Sequence, residues 1–481
     1  MFSYFHSDRP VRVGRGGLSP LRGGILALLS LLALTPRIAM AQTPAPTYSL
    51  AQTIEAALAS SAEVETATRN VQIDRKQVDA ELARLRPGVR VDANATQYDA
   101  KTQVSIAGSP PVTLLHDNTE VLSAGVSLDL DVSGQIRAAA SQAKLQGLAD
   151  QFTLTTVRNQ RILTAKSVYY NLLRAEHQVQ VAQAALTTAK QQQSLAVKLN
   201  LGQVGQKIDV LRANTQVADG EQELTNAQNN RDIARNTFND LIGRPLDAPV
   251  QAQDVPGVTV GVDVGPNAPK NNPLAQTPPY SVPQGDLAAI DVTGSLASAA
   301  QRRPEVLTAQ VQVRVAETGV KLAHSGLEPT VALSVGANYY PTTSFQAPRQ
   351  TVGAVTLGIS FPLYDGGATR ARVQAARLQT ENARTFLDRR KKDVALEVRQ
   401  AYLNLVTAAH QIDAANTALQ QAIATRQLAQ TRYEGQVGLY LEVTDAQAAL
   451  VQAENSQVNA VYDYLIARAQ FENAIGVPST K

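Results

Sequence analysis

Apolar residues recur along this chain with two periods, and each period marks a kind of element. From Tyr48 to Arg86 the residues Leu50, Ile54, Leu58, Val64, Val71, Val78, Leu82 and Leu85 stand three, four or seven apart, the spacing of one helix face. Pro87-Gly88 ends that helix. The period then drops to two: Val89, Val91, Ala93 and Ala95 alternate with Arg90, Asp92, Asn94 and Thr96, with Tyr98 closing the run. Residues 99 to 119 read as a loop. Leu122, Ala124, Val126, Leu128, Leu130 and Val132 then alternate with Ser123, Gly125, Ser127, Asp129, Asp131 and Ser133. A half-buried strand of a soluble sheet shows the same alternation, but runs of about ten residues with one aliphatic and one polar face also have the length of a strand that crosses a membrane in a barrel.

Next comes an Ala/Gln/Leu-rich stretch from Arg137 to Gly202, without proline and with one internal glycine, Gly147. A helix of that extent is roughly 98 Å long at 1.5 Å per residue. The turn Gly202-Gln203-Val204-Gly205 follows, then a return helix from Ile208 to Ile242 that stops at Gly243-Arg244-Pro245. Residues 244 to 285 hold nine of the 23 prolines and no periodic pattern, as in a linker or an irregular surface segment.

The second half repeats the first. Leu327-Glu328-Pro329 corresponds to Leu85-Arg86-Pro87 at an offset of 242, and two further alternating runs, Val331 to Tyr340 and Val355 to Leu363, follow. The second long helix, Arg370 to Gly435, ends in Gly435-Gln436-Val437-Gly438, at an offset of 233 from its twin. The nine-residue difference lies between the strands, where a loop tolerates a change of length. The organisation expected is a leader at 1–41, a first repeat at 42–243, the Pro-rich segment at 244–285 and a second repeat at 286–481, each repeat being helix, β-hairpin, long helix and return helix.

Composition changes this picture in two ways. Arg9, Arg12, Arg15 and Arg22 precede the apolar run Ile25 to Leu34 and the small-residue pattern Ala39-Met40-Ala41, the plan of a secretory signal peptide cut after Ala41. Five arginines, with Arg37, against Asp8 give that leader +4 of the formal +3, so the remainder is near −1 and a nucleic-acid-binding reading fails. The chain has no cysteine, which removes disulfides, thiolate metal sites, catalytic thiols and a lipid-accepting cysteine after the leader. Aromatic residues make up 5% and tryptophan is absent, a poor supply for a large globular core but well suited to alanine-rich helices packed side by side.

Length arithmetic joins the pieces. The two shorter helices of a repeat, laid end to end, match the long one, so a repeat makes a wall two helices wide. Four strands per chain cannot close a barrel when the smallest membrane barrels have eight, and open edges are not tolerated in lipid. A trimer supplies twelve strands. The expected fold is therefore a membrane α+β protein: a β-barrel of four strands per chain, continued away from the membrane by a long α-helical barrel, with two internal repeats. An exported coiled-coil tether would account for the helices but not the strands, and a solute porin would need more strands and no such helices.

The motifs Pro362-Leu363-Tyr364-Asp365-Gly366-Gly367, Arg432-Tyr433 with Tyr440-Leu441 and Asp445-Ala446-Gln447, Leu241-Ile242-Gly243-Arg244-Pro245-Leu246 and Ala474-Ile475-Gly476 resemble the TolC-type outer membrane efflux proteins over essentially all of the chain past the leader. The resemblance implies a trimeric outer-membrane duct, passive, without cofactor or catalytic residues, in which the barrel is an outer-membrane β-barrel and the long α-helical barrel is periplasmic. It implies a periplasmic adaptor and an inner-membrane pump of RND, ABC or MFS type as partners.

No enzyme constellation is visible, since His116, His177, His324 and His410 are scattered. Asp365-Gly366-Gly367 reads as a strand-to-helix junction, where glycine eases a turn. The candidate sites are the two helical turns, in which Gly202, Gly205, Gly435 and Gly438 would permit the reversal. Glu442 and Asp445, three apart on one helix face, become six carboxylates in a trimer, a ring that would favour cations. The resemblance implies acidic rings and charged links at this constriction, with Asp445 in the matching place. Asp209 and Arg212, at the corresponding positions of the first repeat, are expected to latch the tip. Gly202, Val204, Gly205, Gly435, Val437, Gly438 and Leu439 are expected to dock the adaptor, with Tyr440 standing where the family has a small hydroxyl residue.

Overall fold

The computed structural model describes residues 46–256, 258, 290–341 and 350–477, apart from 106, 109, 116 and 117. The leader, residues 259–285 of the Pro-rich segment and His116 lie outside the described residues. The elements run β1 (Thr47–Tyr48), α1 (Leu50–Ser60), α2 (Ala62–Ala83), β2 (Gly88–Gln97), β3 (Thr102–Val104), β4 (Val112–Leu115), β5 (Asn118–Leu130), α3 (Gln135–Leu201), α4 (Lys207–Leu241) and β6 (Gln251–Ala252). The second repeat holds α5 (Val292–Arg302), α6 (Pro304–His324), β7 (Thr330–Tyr339), β8 (Thr351–Ser360), α7 (Ala368–Glu434) and α8 (Tyr440–Ala474).

Both long helices have 67 residues and both return helices 35, so the 233-residue offset holds at every end. Four expectations need correction. The helix expected from Tyr48 to Arg86 is two helices broken at Ser61, and its counterpart is broken at Arg303. Ser61 leaves the helical region at ψ 113° and caps α2 by accepting a bond from the Val64 N–H; Arg303, at ψ 123°, precedes Pro304, whose ring disfavours helical backbone before it. Residues 99–119 are not all loop, because β3 and β4 pair antiparallel within them. Asp131 and Val132 lie beyond β5, with the Asp131 carboxylate accepting from the N–H groups of Ile136 and Arg137 at the start of α3. The last strand begins at Thr351 and stops before Phe361, four residues earlier than the alternation suggests. Ser49, for its part, forms a reciprocal capping box with Gln52 on α1.

Strand order is β2-β5-β7-β8, antiparallel throughout. The register aligns Val89, Val126, Val335 and Val355 in one row, Leu128, Leu333 and Leu357 in the next, and Leu130, Val331 and Ile359 in the third. Asp92, Ser123 and Asn338 form a row of the opposite face. The aliphatic face is bare, with Val89 77% and Ile359 68% exposed.

Below the sheet the helices form a wall. α3 packs against α2 and α4 on one side and α6 and α8 on the other, and α7 lies against α6 and α8. The shorter helices of a repeat meet end to end at the breaks: Ser60 Oγ donates to the Leu241 carbonyl at the end of α4, Arg161 spans the Ala57 and Leu241 carbonyls, and Arg303 donates to the Ala474 carbonyl at the end of α8 while pairing with Glu305 and Glu397. A guanidinium beside helix C-termini satisfies orphan carbonyls and complements the dipole. The largest core cluster sits at this level, around Tyr169, Leu172, Leu173, Phe238, Ile412 and Tyr462. Here β1 pairs with β6 in parallel, so the start of the Pro-rich segment is tied to the wall. Lys166–Glu472, Arg174–Asp463 and Gln178–Asn459 cross-link α3 to the antiparallel α8.

Candidate functional site

The two helical turns are built alike, bond for bond. At the end of α3 the Val204 and Gly205 N–H groups both donate to the Leu199 carbonyl, at 3.0 and 2.9 Å, and the Gln203 N–H donates to Asn200. At the end of α7 Val437 and Gly438 donate to Arg432, at 2.9 and 3.0 Å, and Gln436 donates to Tyr433. This is the Schellman closure, in which the residue after the cap takes a left-handed backbone.

That residue is not a glycine. Gln203 and Gln436 carry the positive φ, 60° and 62°, whereas Gly202 and Gly435 end their helices at −76° and −77°. Gly205 and Gly438 are required for another reason, close approach. A Cβ at either would stand 2.9 Å from the side chain of Leu199 or Arg432. The turn thus uses glycine for space and glutamine for the reversal.

Beneath the turns a small core joins all four helices: Ala196, Ala213, Ala429, Tyr433, Tyr440, Val443 and Ala446 are buried together. Tyr433 and Tyr440 face each other across the second turn, edge to face, with centroids 5.3 Å apart, a favoured aromatic geometry. The Tyr440 hydroxyl donates to Gln216 Oε1 of α4 at 3.2 Å and so bridges the repeats. The Tyr433 hydroxyl has no hydrogen-bond partner among the described residues. Burial first, then Tyr433 and Asp209, push the Tyr440 phenol up to about 12; burial and then Asp209 raise Tyr433. Asp209 is therefore seated, half-buried, beside the tyrosine pair.

The other candidate residues lie around this core. Glu442 faces Arg432 across the turn, Nε to Oε2 3.6 Å, while Asp445 and Arg212 are exposed. Val204, Val437 and Leu439 project into solvent, and with Leu201 and Leu211 they leave the end of the wall largely apolar. Asp365 accepts from the Gly367 and Thr369 N–H groups, and Gly366 and Gly367 have φ of 69° and 89°, so this junction caps α7. A hydrogen bond from the Thr369 side chain, and after it the Thr369 and Gly367 N–H groups, hold the Asp365 carboxyl below its ordinary range. Of the histidines, His177 is buried, with Nδ1 between the Leu173 carbonyl and the Tyr462 hydroxyl. Sequence reasoning missed the tyrosine pair and its Gln216 bridge; the one available signal was a tyrosine on each side of the Gly435–Gly438 turn.

Comparison with known proteins gives one consistent result. The outer membrane efflux protein family matches residues 53–244 and 296–477, the two repeats. The chain is 22% identical over 439 residues to the toluene efflux pump outer membrane protein TtgI of Pseudomonas putida, covering 89% of this chain and 85% of that protein. It is 23% identical over 374 residues to the outer membrane protein TolC of Escherichia coli, covering 75% and 70%. Its fold is similar to the crystal structure of the outer membrane protein VceC from Vibrio cholerae, with a TM-score of 0.68, 19% identity and coverage of 89% and 96%.

Proposed function

This chain belongs to the outer membrane efflux protein family, and from that premise we propose that three copies close into a passive conduit carrying cargo from a periplasmic adaptor and inner-membrane pump to the cell exterior. The observation that carries the reading is that, among the described residues, the aliphatic face of the sheet is bare and its edges, β2 and β8, are free. An apolar band with unpaired edges is stable in lipid only when the edges meet other strands. β2 and β8 run in opposite directions, so β8 of one copy meets β2 of the next in the antiparallel sense, and the sheet continues through twelve strands without a fault. The helical wall has matching free sides: Leu378, Phe386, Leu396 and Leu403 are exposed on α7, and Ile73 and Ile233 on α2 and α4. The helices, roughly 100 Å long, would then form the tube into the periplasm.

Within that assembly Asp445, Glu442, Asp209 and Arg212 surround the narrow end as gate and latch. Glu442 is partly neutralised by Arg432, which leaves Asp445 as the stronger ring charge. The apolar tips at Val204, Val437 and Leu439 serve as the adaptor contact. The relative named for toluene efflux is part of a pump; the class of cargo here would be set by the pump that this chain joins. A tether without a pore would leave the aliphatic sheet face in water.

The absence of cysteine makes the test clean. With Ala93→Cys in β2 and Val355→Cys in β8, oxidation of membranes is expected to give a disulfide ladder ending at three chains. A ladder ending at two, or continuing past three, would overturn the trimer, and recovery of the chain from the soluble fraction would overturn the conduit.

A further inference from the structure

The contact between α2 and α3 contains two carboxyl groups where packing calls for apolar ones. Val64, Ala67, Val71 and Asp74 are the buried positions of α2, at helical spacing, so Asp74 occupies a core position of that face and is only 7% exposed. Its carboxyl lies within hydrogen-bonding reach of the Asp150 carboxyl on α3, and its Oδ2 has no hydrogen-bond partner among the described residues. The backbones are close here, since a Cβ on Gly147 would stand 3.1 Å from Asp74 Cβ.

The internal repeat supplies the comparison. Offsets of 242 for α2 and 233 for α3 map Asp74 and Asp150 onto Ala316 of α6 and Ala383 of α7. The register is secured one residue on, where Arg75 and Gln151 map onto Glu317 and Arg384, which form an ion pair at 2.9 Å. The second repeat thus carries small apolar residues at the inner position and its charges on the surface. The first repeat places two acids at the inner position. Around them Arg75, Lys76 and Asp79 of α2 and Lys144 of α3 are exposed, with Lys76 held by Asp79 at 3.2 Å. α6, which packs on another side of α3, presents the amide of Gln312 to Gln146 rather than a charge.

We propose that Asp74 and Asp150 form a proton-operated clamp between α2 and α3: one proton shared between the two carboxyls holds the helices together, and loss of that proton leaves two like charges that loosen α2 beneath the edge strand β2. A buried carboxyl facing a half-buried one cannot ionise at ordinary cost beside it, and burial followed by Asp150 pushes Asp74 up to about 6. A group raised in the folded state holds its stabilising form at acid pH and loses it as pH rises. The clamp is therefore closed below about pH 6 and open above it, within the range that an exported protein meets.

Hydrogen–deuterium exchange of the full chain purified in detergent, corrected for intrinsic rates, tests this at pH 5.5 and 7.5. Protection of residues 62–83 is expected to fall about fourfold between the two, the fold-change that titrating a group at about 6 produces over this window, while residues 304–324 of the second repeat stay level. The variant Asp74→Ala/Asp150→Ala, which copies the second repeat, is expected to remove the difference. If that variant does not assemble, Asp74→Asn keeps the shape and one hydrogen bond and is expected to do the same. No pH difference in the natural chain, or a difference that survives in these variants, would overturn the clamp.

Discussion

Asp445 and Asp209 have the same type of side chain at comparable distances from their turns, yet their surroundings assign them different work. Asp445 is exposed, whereas Asp209 sits beside the edge-to-face phenols of Tyr433 and Tyr440. Asp445→Lys is accordingly expected to reverse the sign of the ring and raise single-channel conductance in planar bilayers, by opening the end to anions and releasing its closure; an unchanged conductance would count against a gate at this position. The tyrosines set a second expectation. Tyr440 is raised from 10.0 to about 12, so the folded tip favours the neutral phenol. Its contribution is complete below pH 10 and disappears as pH rises through 12. Ultraviolet titration of the phenolate should therefore show a late-ionising tyrosine that Tyr440→Phe removes, together with loosening of the tip at the same alkaline pH. The motif at the turn was plain from Gly-Gln-Val-Gly occurring twice, but which residue reversed the chain was not. Glycine is the residue expected at positive φ; here glutamine takes it, and the glycine two residues on stands where a Cβ would collide.

At the scale of elements, the two long helices follow from Ala/Gln/Leu-rich stretches without proline that end in glycine turns, and with the first return helix they match to within two residues at each end. The breaks at Ser61 and Arg303 were hidden for opposite reasons. Pro304 announces a helix start as well as a stop, and Ser61 continues the apolar spacing on either side, so only the neighbouring helix end explains the interruption. Each break lets a carbonyl-capping arginine reach the end of a return helix, Arg161 in one repeat and Arg303 in the other. The two arginines are not at corresponding positions; the same need is met from different helices. Arg303 is buried and ion-paired, so Arg303→Ala would leave the Ala474 carbonyl without that donor and Glu305 and Glu397 without their cation. Breaking a fully buried pair costs about 3–5 kcal/mol; a smaller loss is expected here because Glu305 and Glu397 are 25% and 46% exposed, read as a lower midpoint of thermal unfolding that Arg161→Lys does not reproduce in the second repeat.

For the whole molecule, the decisive quantity is the face of the sheet that none of the described residues covers. A lysine there would have to enter hydrocarbon. Val355→Lys, on the mid-sheet row with Val126 and Val335, is expected to cost about 2–4 kcal/mol per chain near the bilayer midplane and to reduce the fraction of detergent-stable assembly recovered from membranes. Ser334→Lys, on the opposite face and facing the lumen in a closed barrel, should be far milder. Equal losses for the two would show that the aliphatic face does not meet lipid.

The sequence by itself determined the elements, the repeat and the alternation of the strands, because these depend on local periods of 3.6 and 2 and on glycine and proline at their ends. It also made the family visible, through motifs at the junctions. Only the tertiary structure decided the rest: that Asp131 caps a helix instead of extending a strand, that Tyr440 reaches Gln216 across the repeats, that Glu442 answers Arg432, and that Asp74 meets Asp150 where the twin repeat has alanines. Those pairings join residues up to 224 positions apart, and no local pattern records which distant side chain will fill the space beside a given one.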